Sequence, residues 1–533
     1  MALPRAWRHT AGRIIAADPF RVLRFASFLA PAMTAATASS LVPSSATAPD
    51  SASGATALDV VIMAAGKGTR MKSRTPKVLQ RLAGRPLLWH VLDQAASLSA
   101  RRVVVVTGHG AMEVEASTAG AAGAGGTFDL QFVRQEPQLG TGHAVQQAVP
   151  ALAGDGTVVV LSGDVPLTRA DTLAALVAAS RPDRLALLTV TLPDPTGYGR
   201  IVRGADGAVR GIVEHKDASD AERAIDEVYS GIMAVSARLL AAWLSRLSND
   251  NAQGEYYLTD IVALAVADGV PVAAHRIADA LQVAGVNSPL QLAELERAHQ
   301  LRQARALMEQ GVRLADPARF DVRDDARSGS RGQLVCGQDV EIDVNCVFTG
   351  RVELGEGVQI GANCCIANAA IAAGAVIHPF THIDGEKAGA AVGAGALIGP
   401  FARLRPGAQL GRDVHIGNFV EVKNSTLADG AKANHLAYLG DATVGERVNY
   451  GAGSITANYD GANKHRTVIE ADVHVGSNCV LVAPVTIGAG GTVGAGSTIA
   501  KSTPPGALSV VRGKQIVKDP WQRPAKQPPA PKA

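Results

Sequence analysis

The chain has 533 residues, a formal net charge of +3 and a hydrophobic fraction of 47%, which suits two or three globular domains. So small a charge, with no basic stripe and only 4% aromatic residues, argues against a nucleic-acid partner. No run approaches the ~18 apolar residues of a membrane span, and the five cysteines, which lack CxxC or metal-ligand spacing, read as reduced thiols of a cytoplasmic protein.

Residues 1–57 come first. Arg5, Arg8 and Arg13 precede a mildly apolar stretch, FRVLRFASFLAPAM, and then a run rich in Ser, Ala and Thr. The apolar part is short and broken by arginines, so the expectation is a disordered extension, or a start at Met33, rather than an export signal. From Leu58 to about Gly285, aliphatic runs (DVVIMA, RRVVVVTG, DLQFV, GTVVVLSGD, LALLTVTL) alternate with helical stretches such as LLWHVLDQAASL and GHAVQQAVPAL. Continuous aliphatic strands between helices predict an α/β domain over 58–287, with a Rossmann-like, mostly parallel sheet covered on both faces. Ligands in such sheets bind at the carboxyl ends of the strands.

Two loops fall at those ends: Gly66 to Arg70, and Ser162-Gly163-Asp164. Gly66-Lys67-Gly68-Thr69 does not fit a P-loop, and Met71 stands where the dinucleotide fingerprint needs a glycine. What remains is a tight turn whose backbone N–H groups are open to an anion. Residues 288–316 predict one connecting helix, opened by Pro289, with Leu292, Leu295, Ala298, Leu301 and Leu307 at helical spacing.

Then the period changes to six. Val392, Ile398, Leu404, Leu410, Ile416 and Val422 follow it, as do Val475, Leu481, Ile487, Val493 and Ile499, and Leu354, Ile360 and Ile366. This is the hexapeptide repeat of a parallel β-helix, placed over 317–513, with one aliphatic residue per hexapeptide pointing into a thin prism. At three hexapeptides per coil, residues 339–511 predict roughly nine or ten coils. The repeat breaks at HIDGEKAG and at ITANYDGANKHRTVIEA, and insertions in a solenoid map to loops on one face. Residues 514–533, rich in Pro and Lys, read as a disordered tail.

The segment from Val60 through Arg70 and Pro76-Lys77 to LSGDVPL resembles the signature of sugar-1-phosphate nucleotidylyltransferases. QLGTGHA, YGRI, IVEHKDA and GVN follow in the order found in the uridylyltransferase that acts on N-acetylglucosamine 1-phosphate. In the repeat, PFARLRPG, VKNS and ANHLAYLGDATVGERVNYGAGSITANYDGANKHRT resemble an acetyltransferase. All but the two tails is thus similar to the family of bifunctional UDP-N-acetylglucosamine pyrophosphorylase / glucosamine-1-phosphate N-acetyltransferases, whose β-helix is left-handed.

The resemblance implies roles residue by residue. Met63, Ala64, Ala65, Gly66, Lys77, Ser162, Gly163 and Asp164 would bind UTP, and Gln135, Gly140 and Thr141 would read uracil. Gly199, Glu214, Tyr229 and Asn287 would hold the sugar or its phosphate, and Asp164 with Asn287 would hold Mg2+. Arg70 and Lys77 would stabilise charge as pyrophosphate leaves, since a phosphate nucleophile needs no general base. Three positions depart from the family pattern: Met63 for a usual Leu, Ser162 for Tyr, and Tyr229 for Asn.

In the second reaction, acetyl transfer from acetyl-CoA to glucosamine 1-phosphate, a base must take the proton of the amine, and histidine titrates in the right range. Spacing does not choose among His378, His382, His415, His435, His465 and His474; the resemblance selects His435. Arg405, Lys423, Tyr438, Asn449 and Lys464 would hold the sugar phosphate. Ala452, Asn458, Tyr459, Ser477, Ala495 and Arg512 would line the acetyl-CoA channel. No cysteine looks like an acyl acceptor, so direct transfer is expected. The analogy also implies a homotrimer built through the β-helix. The competing readings are a nucleotidylyltransferase for another sugar with an inert β-helix, and a non-catalytic scaffold.

Overall fold

The computed structural model describes residues 57–118 and 128–523. The extension expected over 1–57 lies, but for its last residue, outside the described residues, as does the tail beyond 523. Two compact units divide between Gln303 and Ala304.

In the first unit all five aliphatic runs form strands: Leu58–Met63, Arg102–Thr107, Asp129–Arg134, Thr157–Ser162 and Leu185–Thr191. Leu58–Met63 is central and pairs in parallel with Arg102–Thr107 on one side and Thr157–Ser162 on the other. Val60, Val61, Ile62 and Val103 to Val106 are fully buried, the result of β-branched residues on both faces of a covered sheet. The sheet is mixed. Glu227–Ser236 runs antiparallel between Thr157–Ser162 and Leu185–Thr191, and a hairpin of Arg200–Arg203 and Val209–Val213 hangs from it. Asp59, fully buried on the central strand, is matched by the Arg101 guanidinium at 2.9 Å.

The connecting helix spans Pro289–Glu309. It ends ahead of Gly311, whose φ of +95° is left-handed. Arg313–Leu314 already pairs with Glu341–Ile342, so the β-helix begins inside the stretch that the leucine spacing assigns to the connecting helix.

The second unit is a β-helix of parallel strands. One face is an eleven-stranded ladder, from Arg313–Leu314 to Leu508–Ser509, and a seventeen-stranded sheet forms the other two. The six-residue period works as expected: Val475, Leu481 and Ile487 sit on three successive faces, and Val475 pairs with Val493 one coil later. Every residue of the three aliphatic series is buried. Both breaks in the repeat leave from the same corner, as loops 385–389 and 458–466 between strands of the second and third faces. From 510 to 523 the chain is exposed, with neither helix nor strand.

Candidate active sites

In the first unit the central strand runs into the glycine turn. A Cβ at Gly68, whose φ is +57°, would lie 2.7 Å from the Lys77 Cβ, so glycine lets this loop close over the Lys77 stem. Met63, Ala64, Ala65, Gly66, Lys77, Gln135, Gly140, Thr141, Ser162 and Asp164 line one cleft of about 750 Å3. Ten of the expected ligand residues, drawn from four loops, therefore share a single cavity at the carboxyl ends of the strands.

At its centre the Lys77 Nζ donates to Asp164 Oδ2 at 2.5 Å and to Asn287 Oδ1 at 3.2 Å. Asp164 is 8% exposed, and its second oxygen accepts from the Ser162 hydroxyl at 2.7 Å. Gly163 is tied to the central strand through its N–H to the Met63 carbonyl, 2.9 Å. The Gln135 side-chain amide nitrogen donates to the Gly140 carbonyl at 2.8 Å. Thr141 opens the helix Thr141–Ala148, and its hydroxyl accepts the Leu258 N–H at 3.0 Å. Arg70 is exposed on a short turn of helix, Thr69–Met71.

Of the four residues expected to hold the sugar or its phosphate, Asn287 joins Lys77, and Gly199, Glu214 and Tyr229 form a second group. Glu214 accepts from the Thr259 hydroxyl at 3.0 Å, and burial holds its carboxyl above the usual range, with Asp260 and Asp217 adding to the shift. The Gly199 carbonyl accepts the Tyr229 N–H at 2.9 Å. The Tyr229 phenol is buried with no protein partner for its O–H among the described residues, and burial, with Glu214 nearby, pushes it up. Sequence reasoning passed over Tyr198, inside YGRI, whose phenol is pushed up by burial and then by Asp164, against a smaller opposing effect of Arg70. It also passed over Glu255, which lines the cleft.

On the β-helix, Arg405, Lys423, Asn458 and Lys464 stand at the corner from which both loops leave. Lys423 and Lys464 are close enough for Lys464, ahead of burial and Arg405, to depress the Lys423 ammonium. The buried Asp441 accepts from the side-chain amides of Asn424 at 2.5 Å and of Asn458. Tyr438 pairs with Glu421, which accepts from Arg405 at 2.8 Å. A Cβ at Gly440 would lie 2.2 Å from the Tyr438 hydroxyl oxygen, so glycine here lets the phenol lie along the face. Tyr459 is 62% exposed on the loop, bridged to Lys464. Asp441 is the residue that sequence reasoning missed; nothing in LAYLGD marks its aspartate as buried.

His435 lies across the strand from these cations, at the corner between the first and second faces. Its backbone carbonyl accepts from Gly453, that of Ala452 from Asn478, and that of Ser477 from Gly496. His435, Ala452, Ser477 and Ala495 thus occupy successive coils of one corner column, and the Arg512 Nε donates to the Ala495 carbonyl at 3.2 Å. Asn449 stands apart from Tyr438, on the first face, in a groove with His415, Lys432, Arg447 and His474.

Residues 60–313 match the family model of the MobA-like NTP transferase domain, and residues 389–424 and 466–501 that of bacterial transferase hexapeptide (six repeats). The bifunctional protein GlmU of Acidovorax ebreus (strain TPSY) is 84% identical over 472 residues, 89% of this chain and 99% of that protein. The GlmU of Paracidovorax citrulli (strain AAC00-1) is 84% identical over 475 residues, 89% of this chain and all of the relative. For Polaromonas naphthalenivorans (strain CJ2) the identity is 75% over 474 residues, 88% of this chain and 98% of its GlmU. With both halves matched along nearly the whole length of these relatives, the chain belongs to the bifunctional GlmU family.

Proposed function

We propose that the chain makes UDP-N-acetylglucosamine, the precursor of peptidoglycan and lipopolysaccharide, in two steps: acetylation of glucosamine 1-phosphate on the β-helix, then uridylyl transfer from UTP in the N-terminal cleft. The observation that carries the two-reaction reading is the cluster of Arg405, Lys423 and Lys464 beside Tyr438, on the same coils as His435. An inert scaffold has no reason to crowd like charges at one corner, whereas a sugar phosphate neutralises them.

In the acetylation the amine nitrogen attacks the thioester carbonyl, a C–N bond forms and the C–S bond breaks. His435 takes the amine proton and passes it to the departing thiolate. The column of Ala452, Ser477 and Ala495 leaves room for the pantetheine arm, and Arg512 meets a CoA phosphate. Asn458, held by Asp441 at the corner of the cations, would sit beside the sugar phosphate rather than on the Ala452, Ser477 and Ala495 column.

In the uridylyl transfer the sugar phosphate attacks the α-phosphorus in line, and pyrophosphate leaves. Lys77 and Arg70 offset the charge that develops, and Gln135, Gly140 and Thr141 hold uracil. Asp164 Oδ2 and Asn287 Oδ1 converge on one cationic point, now the Lys77 ammonium. One carboxylate and one amide suit Mg2+ completed by substrate phosphates, and no denser group of His, Cys, Asp or Glu exists among the described residues. Such an ion would supply Lewis-acid stabilisation of the phosphate charge.

A homotrimer in the cytoplasm completes the proposal. Phe380, Phe401 and Phe419 stack at 5.0 and 5.4 Å along the corner column next to Asn418 and His435, and Leu436 extends the row. Each of the four is about half exposed or more, and each adopts a left-handed φ that costs a residue with a side chain of that kind. So large an apolar ridge beside a catalytic base fits coverage by a second copy of the chain. Asn449, on another face from Tyr438, then belongs to a neighbour's sugar site. No helix among the described residues is long and apolar enough to cross a membrane.

The test is a two-channel assay with glucosamine 1-phosphate, acetyl-CoA, UTP and Mg2+, following free thiol and pyrophosphate separately. Release of both, with pyrophosphate suppressed when acetyl-CoA is omitted, is the expected result. Pyrophosphate from preformed sugar phosphates without any thiol would leave the β-helix inert.

A further inference from the structure

We infer that Asn418 is the positioning residue that sets His435 in the tautomer able to act as a base; this rests on the acetyltransferase reading above. The strands His415–Asn418 and Lys432–His435 lie on successive coils of the first face, and Asn418 pairs with His435 in register. The Leu436 N–H donates to the Asn418 carbonyl at 3.0 Å, which pins the two backbones together at the corner. Their side chains then meet: His435 Nδ1 is 3.0 Å from Asn418 Oδ1.

An amide oxygen only accepts, so the ring nitrogen facing it must carry the hydrogen. In a neutral imidazole that leaves Nε2 with its lone pair, and Nε2 is the atom left to take the proton of the amine. A histidine with no partner at Nδ1 divides between two tautomers and rotates about its side-chain bonds. The contact with Asn418 removes both freedoms. The reverse amide orientation, with Nδ2 donating to Nδ1, would leave the hydrogen on Nε2 and no base at all, so the proposal has a definite opposite. The register places this partner one coil before the base, while the residue one coil after it, Ala452, has no polar side-chain atom to compete for the ring.

The experiment compares the intact protein with Asn418→Ala and Asn418→Asp in the thiol-release assay, with pyrophosphate release from N-acetylglucosamine 1-phosphate as the folding control. Asn418→Ala is expected to lower kcat for acetylation ~10-fold while KM for acetyl-CoA stays within ~2-fold, because the residue acts on the base and not on binding. Asn418→Asp keeps an acceptor at Nδ1 and is expected to restore most of kcat. The 15N spectrum of histidine-labelled protein, assigned by difference from His435→Gln, should show the neutral ring protonated at Nδ1, and that signature should be lost in Asn418→Ala. An unchanged kcat in Asn418→Ala, no recovery in Asn418→Asp, or a neutral ring protonated at Nε2 in the unmodified protein would each overturn the proposal. His435→Ala with acetylation intact would instead remove the base itself, and with it the reading on which this inference stands.

Discussion

In the N-terminal sheet, Lys77 reaches Asn287 across 210 positions of sequence; on the β-helix, His435 reaches Asn418 across 17. The first site is a convergence, in which strands of one sheet deliver loops from distant parts of the chain into one open cleft. The second is a column, in which the same corner recurs each coil and chemistry is written into consecutive repeats. The convergent contacts of Lys77, Asp164 and Asn287 all lie within one chain. A columnar site stays open along its length, and its residues divide among faces of the prism, as Tyr438 and Asn449 do. On the proposed reading, catalysis from the solenoid would lean on assembly in a way that catalysis from the covered sheet would not.

Breaking the column at its base gives the largest expected effect. His435→Ala should lower acetylation by ~10²–10⁴, with pyrophosphate release from preformed N-acetylglucosamine 1-phosphate within a few fold of normal. Loss of both activities in a folded variant would contradict two separable sites. Breaking the convergence comes next: Lys77→Ala should lower uridylyl transfer by ~10²–10³ while thiol release continues, measured by initial rates of pyrophosphate. Unchanged pyrophosphate release would remove Lys77 from the site.

The dependence on assembly is sharpened by Phe401→Asp. A carboxylate in the apolar ridge should weaken self-association, seen by light scattering on a sizing column. It should also depress acetylation ~10-fold or more at low protein concentration, with uridylyl transfer spared. Equal loss of the two activities, or an intact oligomer with normal acetylation, would count against the ridge as an interface.

The smallest effect concerns Glu214. Burial raises its carboxyl in the folded protein, so its contribution to stability is present at low pH and lost as pH rises through the folded value. Glu214→Gln should therefore gain thermal stability relative to the unmodified protein between pH 4 and pH 8. A difference in Tm that does not change with pH would show that burial does not control this group.

The repeat was the most legible part of the fold, because a period of six in Val, Ile and Leu has one structural solution and each residue carries its own burial. The antiparallel strand Glu227–Ser236 was not legible: EVYSGIMAVS has the aliphatic character of its neighbours, and direction is not a property of composition. The end of the connecting helix was overrun because Leu307 continued the helical spacing and the stop at Gly311 depends on its backbone angle. For the sites, motif resemblance supplied the residues, but not their partners. That Asp164 shares Lys77 with Asn287, or that Asp441 grips Asn458, follows from register and loop path, which chain order does not display.

The corner column has one more consequence. Adjacent strands stand ~4.8 Å apart, so the three steps from His435 through Ala452 and Ser477 to Ala495, where Arg512 is moored, measure ~14 Å. The prism is thus a ruler graduated in whole coils. The separation between His435 and the mooring of Arg512 changes only by adding or removing a full turn of about 18 residues. Point substitutions along the column alter its width, while on the proposed reading the length of the acyl carrier it would accept is fixed by counting.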